Sequence, residues 1–261
     1  MIGIFDSGVG GLTSFRDIAQ RLPQYDYIYL GDSARAPYGN HSQEVIYRYT
    51  KQAVDYLLQQ GCGLIILACN TASSEALRNL QKDYPDKKIL GVLIPLAEAA
   101  VGTGAKRIGV LATRSTVDSG SYVREIKKLL RLAEVIQQTA PLLVPLIEES
   151  LERHPLTRRV IKQYLLPLRT HQVQTLILGC THYGFIRSTI INYVGKKMQV
   201  LDSGSIVAEK LNDYLLRHPE VEQRLTKQGQ RQFLTTDDNR RFDRAAVKYW
   251  SWEIQSQTID L

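Results

Sequence analysis

Cys69 and Cys180 are the residues of this chain best placed to do chemistry. Each closes an apolar run and is followed at once by small polar residues: Leu64-Ile65-Ile66-Leu67-Ala68-Cys69-Asn70-Thr71 in one case, Leu176-Ile177-Leu178-Gly179-Cys180-Thr181-His182 in the other. Such a run reads as a buried strand that stops at a turn, and strand ends are where open α/β sheets bind their ligands. Two thiols, each in its own copy of the pattern, suit a reaction that needs one sulfur on each side of a substrate. At Cys69 a following helix would point the positive end of its dipole at the sulfur and favour thiolate, with Asn70 and Thr71 as donors. At Cys180, His182 and Thr181 follow directly, and the histidine could tune the thiol or carry its proton. The plainer reading is a cysteine used as small apolar filler beside a structural histidine.

Two further polar turns follow apolar runs. Asp6-Ser7-Gly8-Val9-Gly10-Gly11 comes after Ile2-Gly3-Ile4-Phe5. Its glycines let backbone approach a ligand, although the spacing fails as a dinucleotide fingerprint. Asp6 could hold a substrate ammonium or orient a base; the plain alternative makes Asp6 or Ser7 a helix cap. Gly31-Asp32-Ser33-Ala34-Arg35-Ala36-Pro37-Tyr38-Gly39 is a loop in which Pro37 and Gly39 bracket Tyr38. The phenol and the neighbouring N–H groups could bind a carboxylate; otherwise this is an ordinary turn with a packed tyrosine. Glu148 and Glu149 end another apolar run and either face the cleft or are solvated.

The elements that must position these residues alternate strand and helix. Strands are expected at 2–5, 26–30, 64–69, 88–93, 107–113, 134–139, 175–180, 198–202 and 231–236, with helical periodicity in most gaps, as at Val45-Tyr49-Gln52-Ala53-Tyr56-Leu57 and Val160-Tyr164-Leu165-Leu168. This pattern predicts an α/β protein with mostly parallel sheets flanked by helices. Two short echoes suggest a duplicated half: Phe5-Asp6-Ser7-Gly8 with Leu201-Asp202-Ser203-Gly204, and Ile66 to Asn70 with Ile177 to Thr181. We expect one α/β domain from 1–95 with 208–261 returning to it, a second at 96–207, and the substrate cleft between them.

The chain has 261 residues, 44% apolar and 23% charged, which is ordinary for a globular protein with a substantial core. No apolar stretch approaches the roughly 20 residues that span a bilayer, so no membrane association is expected. The start runs straight into a strand with no leader, which predicts a cytoplasmic protein. Three cysteines, Cys62, Cys69 and Cys180, argue against a disulfide framework or a structural zinc site, and no metal is expected. Cys62 reads as an inert thiol. The net charge of +7 is scattered, with no nucleic-acid motif; it reads as a solvated surface that would attract an anionic substrate.

The blocks Phe5 to Leu12, Gly31 to Gly39, Cys69-Asn70-Thr71-Ala72-Ser73 and Gly179-Cys180-Thr181-His182-Tyr183 together closely resemble the glutamate racemases, of the cofactor-independent aspartate/glutamate racemase superfamily. The resemblance covers nearly the whole chain. It implies two pseudo-symmetric α/β domains with the active site between them, no cofactor, and interconversion of L- and D-glutamate to supply D-glutamate for peptidoglycan. By motif, Cys69 and Cys180 match the two acid/base cysteines, the Cys180-like thiol acting on the L-enantiomer and the Cys69-like thiol on the D-enantiomer. Asp6 and His182 match their assisting groups. Asp6, Ser7, Tyr38, Gly39, Asn70, Thr71, Thr181 and His182 match substrate contacts, with Pro37 beside them. Glu148 matches an acidic residue near the site, and Asp32 is a further candidate. Family members are often dimers. Ser33, where threonine is common, and Ile94-Pro95-Leu96-Ala97-Glu98 depart from the pattern without touching the cysteines.

Racemisation takes an α-proton from one face and returns one to the other, so two opposed groups serve it better than one: a thiolate and a thiol whose roles swap with direction. From an ordinary thiol value of about 8.5, poising a thiolate near neutrality takes only about 1–2 kcal/mol. No lysine motif suggests a pyridoxal Schiff base, so polar donors must stabilise the carbanion. The nearest rival substrate is aspartate, since side-chain discrimination rests on pocket depth. A non-catalytic module binding amino acids or nucleic acid is the rival from another class, and a thiol redox role is weakened by the lack of a CxxC pair.

Overall fold

The strands lie along the buried apolar runs that end in turns, and most are a residue or two shorter than the runs that predict them, although the first extends one residue further, through Asp6. In a computed structural model, which describes residues 1–250 and 253–261, they are β1 (Ile2–Asp6), β2 (Tyr27–Gly31), β3 (Leu64–Leu67), β4 (Lys88–Gly91), β5 (Arg107–Ala112), β6 (Glu134–Thr139), β7 (Thr175–Gly179), β8 (Gln199–Leu201), β9 (Arg231–Thr235) and β10 (Ser256–Thr258). Ala68 and Cys69 fall outside β3, and Cys180 outside β7, because the chain there leaves the ladder to turn into helix. The sequence signals missed β10, whose Ser-Gln-Thr has no apolar run to mark it.

The strands form two sheets, both entirely parallel. One has the order β10-β9-β2-β1-β3-β4 and the other β6-β5-β7-β8. Parallel sheets are covered on both faces, which explains why β1, β2, β3 and β7 are buried along their whole length. Two apolar clusters flank the larger sheet, one containing Ile2, Ile4, Phe15 and Tyr29, the other Phe5, Leu30, Leu57 and Leu67. Two more flank the smaller sheet, around Leu165 with Leu178 and around Val110 with Tyr122. Two long helices cap as their sequences suggest. Ser42 accepts the Val45 N–H at the start of Gln43–Gln59, and Pro155 opens Pro155–Thr170 after His154. Helix Leu93–Gly102 links the sheets and packs with the smaller one, whereas helix Ser203–Arg217 lies on the larger sheet's side, with Ser203 Oγ 2.8 Å from Ser14 Oγ.

The order β2-β1-β3-β4 repeats as β6-β5-β7-β8. Phe5 pairs with Leu30 and Leu67, and Leu111 pairs with Gln138 and Leu178 in the same way. Cys69 and Cys180 therefore occupy equivalent places, two residues past equivalent strand positions. The other echo is not an equivalence. Leu201 pairs with Ile177 as Leu90 pairs with Ile66, so Asp202-Ser203 corresponds to Gly91-Val92 rather than to Asp6-Ser7. The true counterparts of Asp6 and Ser7 are Ala112 and Thr113, and that of His182 is Thr71. The repeat duplicates the thiols and not their assistants.

Candidate active site between the two sheets

The loops at the C-terminal ends of the two sheets meet over one small pocket. Ser7, Pro37, Tyr38, Gly39, Cys69, Asn70, Thr71, Cys180, Thr181, His182 and Glu148 all line it, joined by Ala36, Thr113 and Val144. Its free space is about 20 Å³, room for roughly one water molecule. Asp6 and Asp32, both fully buried, stand behind the lining.

Asp6 ends β1 and is not a helix cap; the helix Leu12–Arg21 begins at Gly11 with no side-chain cap. Its Oδ2 accepts the Gly8 N–H at 3.1 Å and its Oδ1 accepts the Thr181 hydroxyl at 3.3 Å. Burial raises its carboxyl above the usual carboxylate range, against the pull of the His182 charge and the N–H groups of Gly11 and Gly8. The backbone can fold so tightly around it only because residue 11 is glycine. A Cβ at Gly11 would lie 2.4 Å from that of Asp6.

Cys69 is buried at the end of the β3 run, its thiol donating to Ser7 Oγ at 3.4 Å. The expectation that the following helix lowers this thiol is overturned. Burial, then the charge of Asp6, push it up to about 12, more than the Ser7 hydroxyl and the Ala72 N–H offset. The helix behind it, Asn70–Glu75, is only six residues long, and desolvation of a buried thiolate outweighs so short a dipole.

The Cys180 side is built differently. Its Sγ lies 4.0 Å from His182 Nδ1, and His182 Nε2 lies 3.2 Å from Glu148 Oε1, an ion-pair distance whose angle falls short of a hydrogen bond. Burial pushes the imidazole down, but the contacts with Cys180 and Glu148 outweigh it and lift His182 to about 10. These contacts favour the protonated ring. Glu148 thus faces the cleft while keeping part of its side chain in solvent, and Glu149 is exposed and does not line the pocket.

Tyr38 lines the pocket, but its phenol is buried and its proton is donated to Asp32 Oδ2 rather than left for a carboxylate. Asp32 also accepts from Arg35 Nε at 2.6 Å and Thr236 Oγ1 at 2.8 Å. This network anchors the 36–39 loop, whose backbone, with Pro37 and Gly39, forms the pocket wall. The approach is close: a Cβ at Gly39 would lie 2.6 Å from Thr113 Cβ. Cys62 is buried in the same apolar cluster as Leu57 and does not line the pocket, and burial pushes it up to about 11.

Residues from the opposite sheet complete the site. Thr71 Oγ1 lies 3.0 Å from Thr113 Oγ1 and 3.3 Å from Thr116 Oγ1, and the latter two are 3.0 Å apart. Ser115 donates to the Gly39 carbonyl at 2.9 Å. Tyr122 donates to Asn70 Oδ1 at 2.6 Å. None of these was singled out in the sequence. Thr113 could have been, since it follows β5 as Ser7 follows β1; nothing local marks Tyr122. Outside the pocket, sharing Ala36, Glu148 and His182 as walls, is a second cavity of about 180 Å³, closed by Asp237, Arg241 and Phe242 of the C-terminal segment. Among the described residues, no cluster of three His, Cys, Asp or Glu side chains could hold a metal, and no helix is long and apolar enough to cross a membrane.

Two parallel α/β sheets of repeated order, with a two-thiol pocket where their strand-end loops meet, define the class of protein. Residues 7–211 match the Asp/Glu/hydantoin racemase family. A glutamate racemase of Persephonella marina is 42% identical over 261 residues, covering 100% of this chain and 97% of the relative. The crystal structure of a Bacillus anthracis glutamate racemase matches at a TM-score of 0.94 with 32% identity, covering 100% of this chain and 97% of that one. That of the Francisella tularensis glutamate racemase in complex with D-glutamate matches at 0.90 with 30% identity, covering 99% and 97%. The chain belongs to the Asp/Glu/hydantoin racemase family and, within it, to the glutamate racemases.

Proposed function

We propose that the protein interconverts L- and D-glutamate by transferring protons between the substrate and two cysteines, with no cofactor. The observation that carries the reading is the placement of Cys69 and Cys180 at equivalent strand ends of two sheets, lining one pocket. Relatives and structural neighbours that are glutamate racemases, one of them in complex with D-glutamate, support the substrate.

With L-glutamate bound, the Cys180 thiolate removes the α-proton and becomes a thiol. The Cys69 thiol delivers its proton to the opposite face and becomes a thiolate, which leaves D-glutamate. The reverse reaction exchanges the roles. The asymmetry of the site supports this starting arrangement. The protonated His182 beside Cys180, itself paired with Glu148, gives a thiolate there a counter-ion, while burial beside Asp6 holds Cys69 as the proton-bearing thiol. Charge moving from the α-carbon onto the carboxylate needs donors. Ser7, Asn70, Thr71 and Thr181 line the pocket, and one well-placed donor contributes about 3–4 kcal/mol. Glutamate does not fit a space of about 20 Å³, so the two halves separate to admit it and close to exclude water.

The same reading assigns domains to 1–95 with 208–261 and to 96–207, a cytoplasmic location and a role supplying D-glutamate for peptidoglycan, and it is compatible with a homodimer. The test follows L- and D-glutamate by circular dichroism. Cys69→Ala and Cys180→Ala should each abolish racemisation, and in heavy water product should carry deuterium at Cα without added cofactor. Near-normal turnover in either variant rules out the two-thiol scheme. Faster turnover of aspartate transfers the scheme to that substrate, and indifference of both acids to the protein leaves a binding module.

A further inference from the structure

Asn70 has an unusual hydrogen-bond balance. Its side chain is 1% exposed and lines the pocket, its Oδ1 takes the Tyr122 hydroxyl at 2.6 Å, and its Nδ2 has no hydrogen-bond partner among the described residues. A buried amide N–H₂ left without an acceptor costs free energy unless something else supplies one. The orientation of the amide is decided by Tyr122. The phenol has one proton to give, and burial pushes its ionisation up so that the proton stays. With Oδ1 toward Tyr122 that proton is accepted and only Nδ2 lacks a partner. With the amide turned over, the phenol proton would have no acceptor and Oδ1 no donor. Tyr122 is itself fixed, with no exposed surface, in the apolar cluster around Val110 and Ile126. It belongs to helix Ser121–Leu129, on the smaller sheet's side of the cleft, whereas Asn70 follows β3 of the larger sheet.

We propose that Tyr122 is a positioning residue: its hydroxyl, donated across the cleft to Asn70 Oδ1, turns the Asn70 amide so that Nδ2 faces the pocket and donates to a substrate carboxylate. The reversed amide would present an oxygen to that carboxylate and repel it. Because the donor and the group it orients come from opposite sides of the cleft, the amide is set only when the two sides are together. The inference rests on the glutamate reading, and wild-type racemisation of glutamate, measured first, tests that reading separately.

The experiment is a double-mutant cycle with Tyr122→Phe and Asn70→Ala, read as kcat/KM for both enantiomers. Tyr122→Phe removes one oxygen and leaves the ring in its cluster. It should lower kcat/KM by about tenfold to a hundredfold in the wild-type background and by less than twofold when Asn70 is already alanine. A merely structural role would lower kcat/KM by the same factor in both backgrounds, and that result, or an active wild type matched by Tyr122→Phe, overturns the proposal. Should Tyr122→Phe not fold, the unaltered protein gives the answer by NMR of its ¹⁵N-labelled asparagine side chains. Saturation with D-glutamate should shift the Asn70 Nδ2 protons downfield, and an unmoved signal overturns the proposal.

Discussion

Gly10→Ala is the substitution in which geometry predicts most from least. A Cβ at position 10 would lie 2.6 Å from both His182 Nδ1 and Thr181 Oγ1, and 2.8 Å from His182 Cε1. The residue's φ is not positive, so alanine is compatible with the backbone and by itself would stabilise the fold by about 0.4–1 kcal/mol through the unfolded chain. The clash is with the imidazole and the threonine hydroxyl. To reach an ordinary contact near 3.4 Å the ring must retreat by about 0.8 Å, from a position 4.0 Å from Cys180 Sγ and 3.2 Å from Glu148 Oε1. A misplacement of about 1 Å in catalytic machinery costs on the order of a hundredfold in rate. We therefore expect kcat/KM to fall about a hundredfold while the melting temperature changes by only a few degrees. A racemisation has an equilibrium constant fixed at unity by symmetry, so kcat/KM must fall equally for L- and D-glutamate. The assay is polarimetric or dichroic turnover in both directions beside thermal unfolding. A well-folded Gly10→Ala enzyme within threefold of wild type would refute the claim that the His182 position matters to the rate, and an equal loss of rate and of fold would refute the claim that the effect is local.

Tyr38→Phe should cost stability rather than substrate affinity. Asp32 loses a buried donor and keeps Arg35 and Thr236, a loss of about 1–3 kcal/mol, so chemical denaturation should register it while KM stays within about twofold; a large rise in KM would mean that the phenol meets the substrate after all. His182 supplies a pH dependence. Its folded value of about 10 lies above the ordinary 6.5, so the stability it confers is full below about pH 6.5 and is lost as pH climbs toward 10. In ¹⁵N NMR spectra the His182 ring should therefore keep imidazolium shifts from about pH 6.5 to 8.5, where a free histidine turns neutral. A neutral ring at about pH 7.5 would show that the imidazole is not held protonated.

Much of this protein is legible from residue order alone. Cys69 and Cys180 stand out because a buried parallel strand must be apolar along its length and must end where polar atoms can be satisfied, so the run and its stop mark both the strand and the strand-end site. Strand and helix alternate visibly for the same reason, and the parallel sheets follow. What one-dimensional order does not contain is which strand ends meet. The Asp-Ser-Gly echo at 202–204 looks as good as the one at 6–8, yet the register of β8 sends it to a surface ion pair between Asp202 and Arg187. Short β10 has no apolar run to announce it. The direction in which a side chain points is likewise a tertiary property: the Tyr38 phenol donates to Asp32, and Tyr122 reaches Asn70 across fifty-two residues of chain. The electrostatics diverge furthest from local expectation. A helix N-terminus favours a thiolate in any sequence, but the burial around Cys69 and the carboxylate of Asp6 beside it exist only in the folded chain, and desolvation is the larger effect. Residue order alone marks the atoms able to react and their place at strand ends. Folding brings them to one pocket and sets the charge and the hydrogen-bond partners around each, because those depend on distances between segments that the chain's local rules do not set.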